Sequence, residues 1–185
     1  MNKYEFVPGD EIVIAPGRTV KRIRALVAIA ALGIAPGDVG GYVEAEKNLE
    51  QVFGNAWVFG DARVYGNARV YGNALVSGDA QVYGNALVSG NAQVSGDAQV
   101  SGNALIFWAS KVGTENGTLT VYNSKDNTIE VTRGCFRGSI DEFLEASKKK
   151  HDAETALEYQ LLIQVAVSRI SRAQAAIAAP EKEAA

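Results

Sequence analysis

The sequence is poor in residues that staple, ligate or anchor a protein. One cysteine, Cys135, leaves no partner for an intrachain disulfide and fits a reducing cytoplasm. One histidine, His151, cannot supply the three imidazoles of a histidine-only zinc site. The apolar run Ala25–Ile34 is too short to span a bilayer, and the N-terminal residues carry no secretory-signal pattern. A formal charge of −3 withholds the general signature of a nucleic-acid binder, leaving Lys148–Lys150 and His151 as a small basic patch. A cytoplasmic protein of one domain, or two small ones, is expected from the 185 residues, with no metal, no cofactor and no membrane partner, and with nucleic acid disfavoured.

What the chain has instead is repetition. Val52 to Leu105 reads as nine consecutive hexapeptides V-x-G-[ND]-A-x without insertion, and Ile106 begins a tenth that breaks the pattern. Within each unit Ala and Val alternate with x positions, so Ala and Val share one side of a short strand and the x residues the other. The Gly-Asn or Gly-Asp pair tolerates the left-handed backbone of a tight corner. Strands that bend alike every six residues form a coil, and three sides close a triangle. A second period agrees: Asp61, Asp79 and Asp97 are 18 residues apart, three hexapeptides, and so stack in one column. Nine units then give three coils, rising about 4.8 Å each, around a Val-Ala interior too narrow for a ligand.

The outward residues fall into three faces. Trp57, Phe59, Leu75, Ser77, Gln93 and Ser95 make the first. Arg69, Tyr71, Leu87, Ser89, Leu105 and Phe107 make the second. Arg63, Tyr65, Gln81, Tyr83, Gln99 and Ser101 make the third. The first two carry large apolar groups that a monomer would rather cover, so Trp57, Phe59, Leu75, Leu87, Leu105 and Phe107 are candidates for an oligomer interface or for docking the chain's own terminal segments. The third is polar, and its Arg63, Tyr65 and Tyr83 suit recognition, although tyrosine also simply favours strands.

The flanks divide the rest. Residues 1–51 form an N-terminal β cap with strands at Tyr4–Val7 and Glu11–Ala15 around a Pro8-Gly9-Asp10 turn; Arg22–Ala31 fits a strand or a short helix, with a further strand over Thr19–Ile29 favoured. The coils occupy 52–107. Residues 108–138 hold a β-hairpin, Thr118–Tyr122 with Thr128–Thr132. Residues 139–179 hold two helices, the first opened by a capping box at Ser139 and Glu142 and ending near Lys150, the second from Asp152 to about Ala178. Residues 180–185 form a solvated tail.

The repeat V-x-G-[ND]-A-x resembles that of left-handed β-helix proteins. The resemblance implies a mainly β fold: a left-handed triangular parallel β-helix, here with an N-terminal β cap, a C-terminal β-hairpin and two C-terminal α-helices, and commonly a homotrimer. The lead-in GGYVEAEKNLEQ followed by GNAWVFGDARV resembles bacterial and phage-encoded hexapeptide proteins, many loosely labelled acyltransferases. The segment GTLTVY…IEVTRGCFRGSIDEFLEA resembles a module appended to phage proteins with this repeat. In the family's acyltransferases a coil histidine is the general base, often beside a loop projecting from the prism. Here the coils contain no histidine and no loop interrupts them, and the three-histidine zinc site of the family's carbonic anhydrases is out of reach.

These readings favour a non-enzymatic, homo-oligomeric binding protein of phage or prophage type, countering a host defence by blocking a host protein or sequestering a small signalling nucleotide. A nucleotide would use Arg63, Tyr65, Tyr83, Arg133 or Arg137, guanidinium for phosphate and tyrosine for base. Two rivals stand beside it: an acyl-CoA-dependent acyltransferase relying on His151, and a structural assembly scaffold. His151 reads as a solvated residue between the helices. Cys135 in Arg133-Gly134-Cys135-Phe136-Arg137 reads as a buried packing residue, with a thiolate activated by two arginines as the alternative. The aspartate column reads as structural rather than as a metal ladder.

Overall fold

The computed structural model describes residues 2–179, and the tail expected at 180–185 lies outside the described residues. Eight two-residue strands carry the coils: β4 (Trp57–Val58), β5 (Arg63–Val64), β6 (Arg69–Val70), β7 (Leu75–Val76), β8 (Gln81–Val82), β9 (Leu87–Val88), β10 (Gln93–Val94) and β11 (Gln99–Val100). They stack in parallel ladders with a register of 18 residues, β4–β7–β10 on one side, β5–β8–β11 on the second and β6–β9 on the third. The chain is therefore a three-sided β-solenoid, and the core runs up its axis. Val64, Val82 and Val100, with Ala62, Ala80 and Ala98, are wholly buried, each valine contributing roughly 1.5–3 kcal/mol over an exposed one.

The corners are glycine in the left-handed region, φ 71° at Gly66 and 70° at Gly72, which costs a residue with a Cβ the most. Asparagines stack across coils on the outside, Asn73 Nδ2 donating to Asn91 Oδ1 at 3.1 Å. The aspartates of the other column stand exposed, and Asp61 takes Arg22 at 3.5 Å. Among the described residues no three His, Cys, Asp or Glu side chains gather as a metal site.

The first hexapeptide departs from the expected rung. Leu49, not Val52, takes the inward place: it bridges Val70 in parallel and is fully buried, whereas Val52 is 60% and Phe53 77% exposed. The corner glycine Gly54 sits over Gly72, whose carbonyl accepts from Ala56 N at 2.9 Å. Four residues, Glu50 to Phe53, thus join Leu49 to Gly54 where Tyr71 alone joins Val70 to Gly72. The excess leaves the prism as a short bulge, so the coils are interrupted after all. Glu50 Oε1 accepts from the amides of Val52 (2.9 Å) and Phe53 (3.3 Å), and Gln51 Oε1 from Lys3 N (3.0 Å).

The N-terminal cap is one antiparallel pair feeding the second ladder. β1 (Tyr4–Ala15) is a single strand with a bulge between Phe6 and Glu11, not two strands around a turn. Both halves pair with the same neighbour, β2 (Arg18–Ala25), which holds them in line. β2 stops short of Ile29, because the chain doubles back through an Ile29–Ile34 bridge around a 3-10 turn at Ala30–Leu32. β3 (Val39–Val43) pairs antiparallel with β2 and parallel with β5, giving a six-stranded sheet β1-β2-β3-β5-β8-β11.

Beyond the coils the expected hairpin is the centre of a larger sheet. β12 (Ile106–Val112), β13 (Gly117–Asn123), β14 (Ile129–Arg133) and β15 (Phe136–Ser139) form an antiparallel meander. One side of β13 and β14 meets the solenoid: Thr120 Oγ1 accepts from Gln93 N at 3.1 Å, Thr132 Oγ1 donates to Gln93 O at 2.7 Å, and the Tyr122 hydroxyl donates to Ser95 O at 3.2 Å. The other side, Leu119, Val121 and Val131, packs with Tyr159, Ile163, Ala166 and Ile170 in a second core. Those last residues lie on α2 (Ala153–Ala178), which follows α1 (Ile140–Lys150). Both helices start where the sequence placed them. Ser139 Oγ accepts from Glu142 N at 3.3 Å while Glu142 Oε2 accepts from Ser139 N at 2.8 Å, and Asp152 caps α2 through Thr155 N at 2.7 Å.

Candidate functional site

Side-chain direction follows the coil pattern, but what covers each face comes from the chain ends. Trp57 points off the axis as expected, yet it is 1% exposed, beneath the Tyr4 ring at 6.3 Å. Leu105 is 4% exposed and Phe107 half-buried, both in the α2 core. Phe59 and Leu75 are partly buried against the solenoid core. Of the six residues expected at an oligomer interface or under the chain's own terminal segments, Trp57 and Leu105 are covered by their own chain. Leu87 stays half-exposed on the second face, with Tyr71 and Arg69 exposed beside it. Val52 and Phe53, which the hexapeptide pattern places on a regular rung, are also exposed.

The third face keeps its polar column in view. Tyr65 and Tyr83 occupy the same place in successive coils, and their rings stack with centroids 5.1 Å apart and planes 8° from parallel. The Arg18 guanidinium lies over Tyr65 at 5.5 Å and pairs with Glu44 at 3.4 Å. The Tyr65 hydroxyl donates to Gln81 Oε1 at 3.1 Å. Partial burial, then the neighbouring Tyr83, pushes the Tyr65 phenol above its ordinary range, against Arg18 and Arg63. Among the described residues Arg63 has no ion-pair partner. Below Tyr83 the column continues with Ser101, whose side chain is too short to cover a ring. The aromatic stack therefore ends above a small residue, one coil rise of about 4.8 Å away. Chemically this offers the open Tyr83 ring face for a planar group, and, one coil away beside Tyr65, a guanidinium without an ion-pair partner among the described residues.

Arg133 and Arg137 do not join this column. Arg137 packs against Gly96 and binds Glu130 at 2.9 Å, a pairing that raises its pKa. Arg133 points to the helices, its Nε donating to the Tyr159 hydroxyl at 2.9 Å. Cys135 is exposed, not buried, because it lies in the tight β14–β15 turn beside Gly134, where φ is 59°.

The turn roofs a cavity of about 380 Å³ between the sheet and the helices. Cys135 and His151, distant in sequence, both line it. His151 ends α1 and sits partly buried with its ring 5.6 Å from Tyr159, between the helices as expected but not fully solvated. Sequence reasoning missed four further lining groups, Phe143, Ser147, Glu115 and Tyr159. The sequence signal present was modest: Phe143 and Ser147 are four apart on the capped helix and so share one side of it.

A family model described as YdcK Beta solenoid repeat matches residues 62–78 and 80–97. Both matches lie within the coils, so they bear on the solenoid and not on the C-terminal module. A search of curated proteins finds no match to the chain.

Proposed function

We propose that the protein acts without catalysis, as a homo-oligomeric β-solenoid that binds a ligand on its tyrosine-arginine face. The observation that carries this reading is the Tyr65–Tyr83 stack, 5.1 Å between centroids, with Arg63, which has no ion-pair partner among the described residues, two residues before Tyr65 on the same side of the strand. Stacked tyrosine with guanidinium is the pairing that receives a base and a phosphate, so a small signalling nucleotide is the favoured ligand. The likeness of the lead-in and of the C-terminal segment to phage-encoded proteins supports a setting in host cytoplasm, where sequestering such a nucleotide would counter a defence system. Blocking a host protein with the same face is the companion version. The non-enzymatic part rests on the coils themselves. Residues 52–105 contain no histidine, and His151 caps α1 away from them, so an acyltransferase of the familiar design has no general base.

Calorimetric titration with a panel of cyclic mono- and dinucleotides tests the reading. One member should bind, and Tyr83→Ala and Arg63→Ala should each weaken it about tenfold, the worth of one stacked base or one charged contact. Binding unchanged in both variants would remove the face from the account. No binding by any member would remove the nucleotide.

A further inference from the structure

We propose that the cavity beneath the β14–β15 turn binds a small amphipathic monoanion, a carboxylate carried on an aromatic or aliphatic body. Its floor is aromatic: Phe136 meets Phe143 edge-on at 5.2 Å, and Phe143 meets Tyr159 edge-on at 5.3 Å. That floor and the volume of about 380 Å³ suit an apolar body of small-molecule size.

The polar groups sit at one side and are not balanced. Arg133, its side chain only 11% exposed, and Lys150 share a single carboxylate, Glu115, at 3.7 Å and 3.4 Å. Arg133's remaining contacts are neutral, the Tyr159 hydroxyl at 2.9 Å and the Val112 carbonyl at 3.4 Å. A charge-assisted hydrogen bond runs near 2.8 Å, so a contact at 3.7 Å leaves the guanidinium's charge incompletely met. Two cations against one carboxylate leave the lining one positive charge in excess, which one anion would neutralise.

An independent observation points into the same space. Ser147 lines the cavity, is 4% exposed, and its Oγ has no hydrogen-bond partner. Buried hydroxyls are almost always bonded, and an orphan asks for an absent partner. A carboxylate oxygen held by Arg133 and Lys150, accepting from the Ser147 hydroxyl, answers both the excess charge and the orphan donor. The site shares no residue with the tyrosine face and stands or falls without it.

The test uses the full chain and three probes of one shape: 4-phenylbutyrate, 4-phenylbutanol and 4-phenylbutylamine. Amide NMR shifts should map the carboxylate to Gly134, Cys135, Ser147 and His151, with affinity at least tenfold above the alcohol and the amine weakest. Lys150→Gln and Ser147→Ala should each weaken the carboxylate several-fold. Ser147→Ala should leave the unfolding midpoint unchanged or raised, since it removes an unsatisfied buried group. Equal binding of acid and amine, shifts mapping elsewhere, no binding at millimolar concentration, or a Ser147→Ala variant that binds as before would each overturn the proposal.

Discussion

Glu50 holds the bulge that breaks the first coil. Its carboxylate accepts from the amides of Val52 and Phe53, and those bonds, the Val52 amide first, keep its pKa below the usual glutamate range. A depressed carboxyl pKa contributes stability that is present above the ordinary value and is lost as pH falls through the folded one. The Val52 and Phe53 amide resonances should therefore titrate with a midpoint below the roughly 4.3 of a free glutamate. In Glu50→Gln that titration should vanish. A midpoint at or above the ordinary value would mean the bonds do not form. At this scale the sequence was only partly legible. Val52 satisfied the V-x-G-[ND]-A-x pattern and still points outward, because Leu49 is the larger apolar group and reaches the axis first. Tyr65 and Tyr83 could be aligned from their 18-residue spacing, but the unpaired state of Arg63 needed coordinates. Cys135 was misjudged because its burial depends on a two-residue turn whose flanking strand, β15, was not foreseen.

At the scale of elements, periodicity decided what could be read. The coils repeat every six and every 18 residues, so their ladders, inward valines and corners followed from spacing. The helices followed from their caps. The Ser139 box is exposed, and its replacement by alanine should destabilise the protein by about 1 kcal/mol, read as a shift in denaturation midpoint. A change below a few tenths of a kcal/mol would show that packing of Phe143, not the cap, fixes the start of α1. β12 and β15 were not legible. IFWASKV does not alternate cleanly, and FRGS is four residues with a glycine. Both are strands because β13 and β14 present edges to pair with, which is a property of neighbours rather than of their own composition. Trp57 teaches the same lesson. Its direction away from the axis was legible, but its cover is Tyr4, 53 residues earlier.

For the whole molecule, the terminal segments cover the Trp57, Gln93 and Ser95 side of the solenoid and leave much of the other two sides open. The C-terminal sheet uses its Thr120, Tyr122 and Thr132 side for the solenoid and its Leu119, Val121 and Val131 side for α2, so the helices belong to their own solenoid through the sheet. Among the groups that remain outward are the tyrosine-arginine face, Arg69 and Tyr71 of the second face, the Leu157, Leu161 and Val165 stripe of α2, and the apolar Val52–Phe53 tip, whose amides are held by Glu50. Among the described residues no helix is long and apolar enough to cross a membrane.

Native mass spectrometry of the protein, gently ionised, tests the central claim most directly. The expected result is an oligomer carrying an added mass in the range of a nucleotide on each subunit. Phe53→Ser should reduce it to a monomer, and the Tyr65→Ala, Tyr83→Ala double variant should keep the oligomer and lose the added mass. A wild-type protein that flies as a bare monomer, and stays bare after incubation with the nucleotide panel, would contradict the claim.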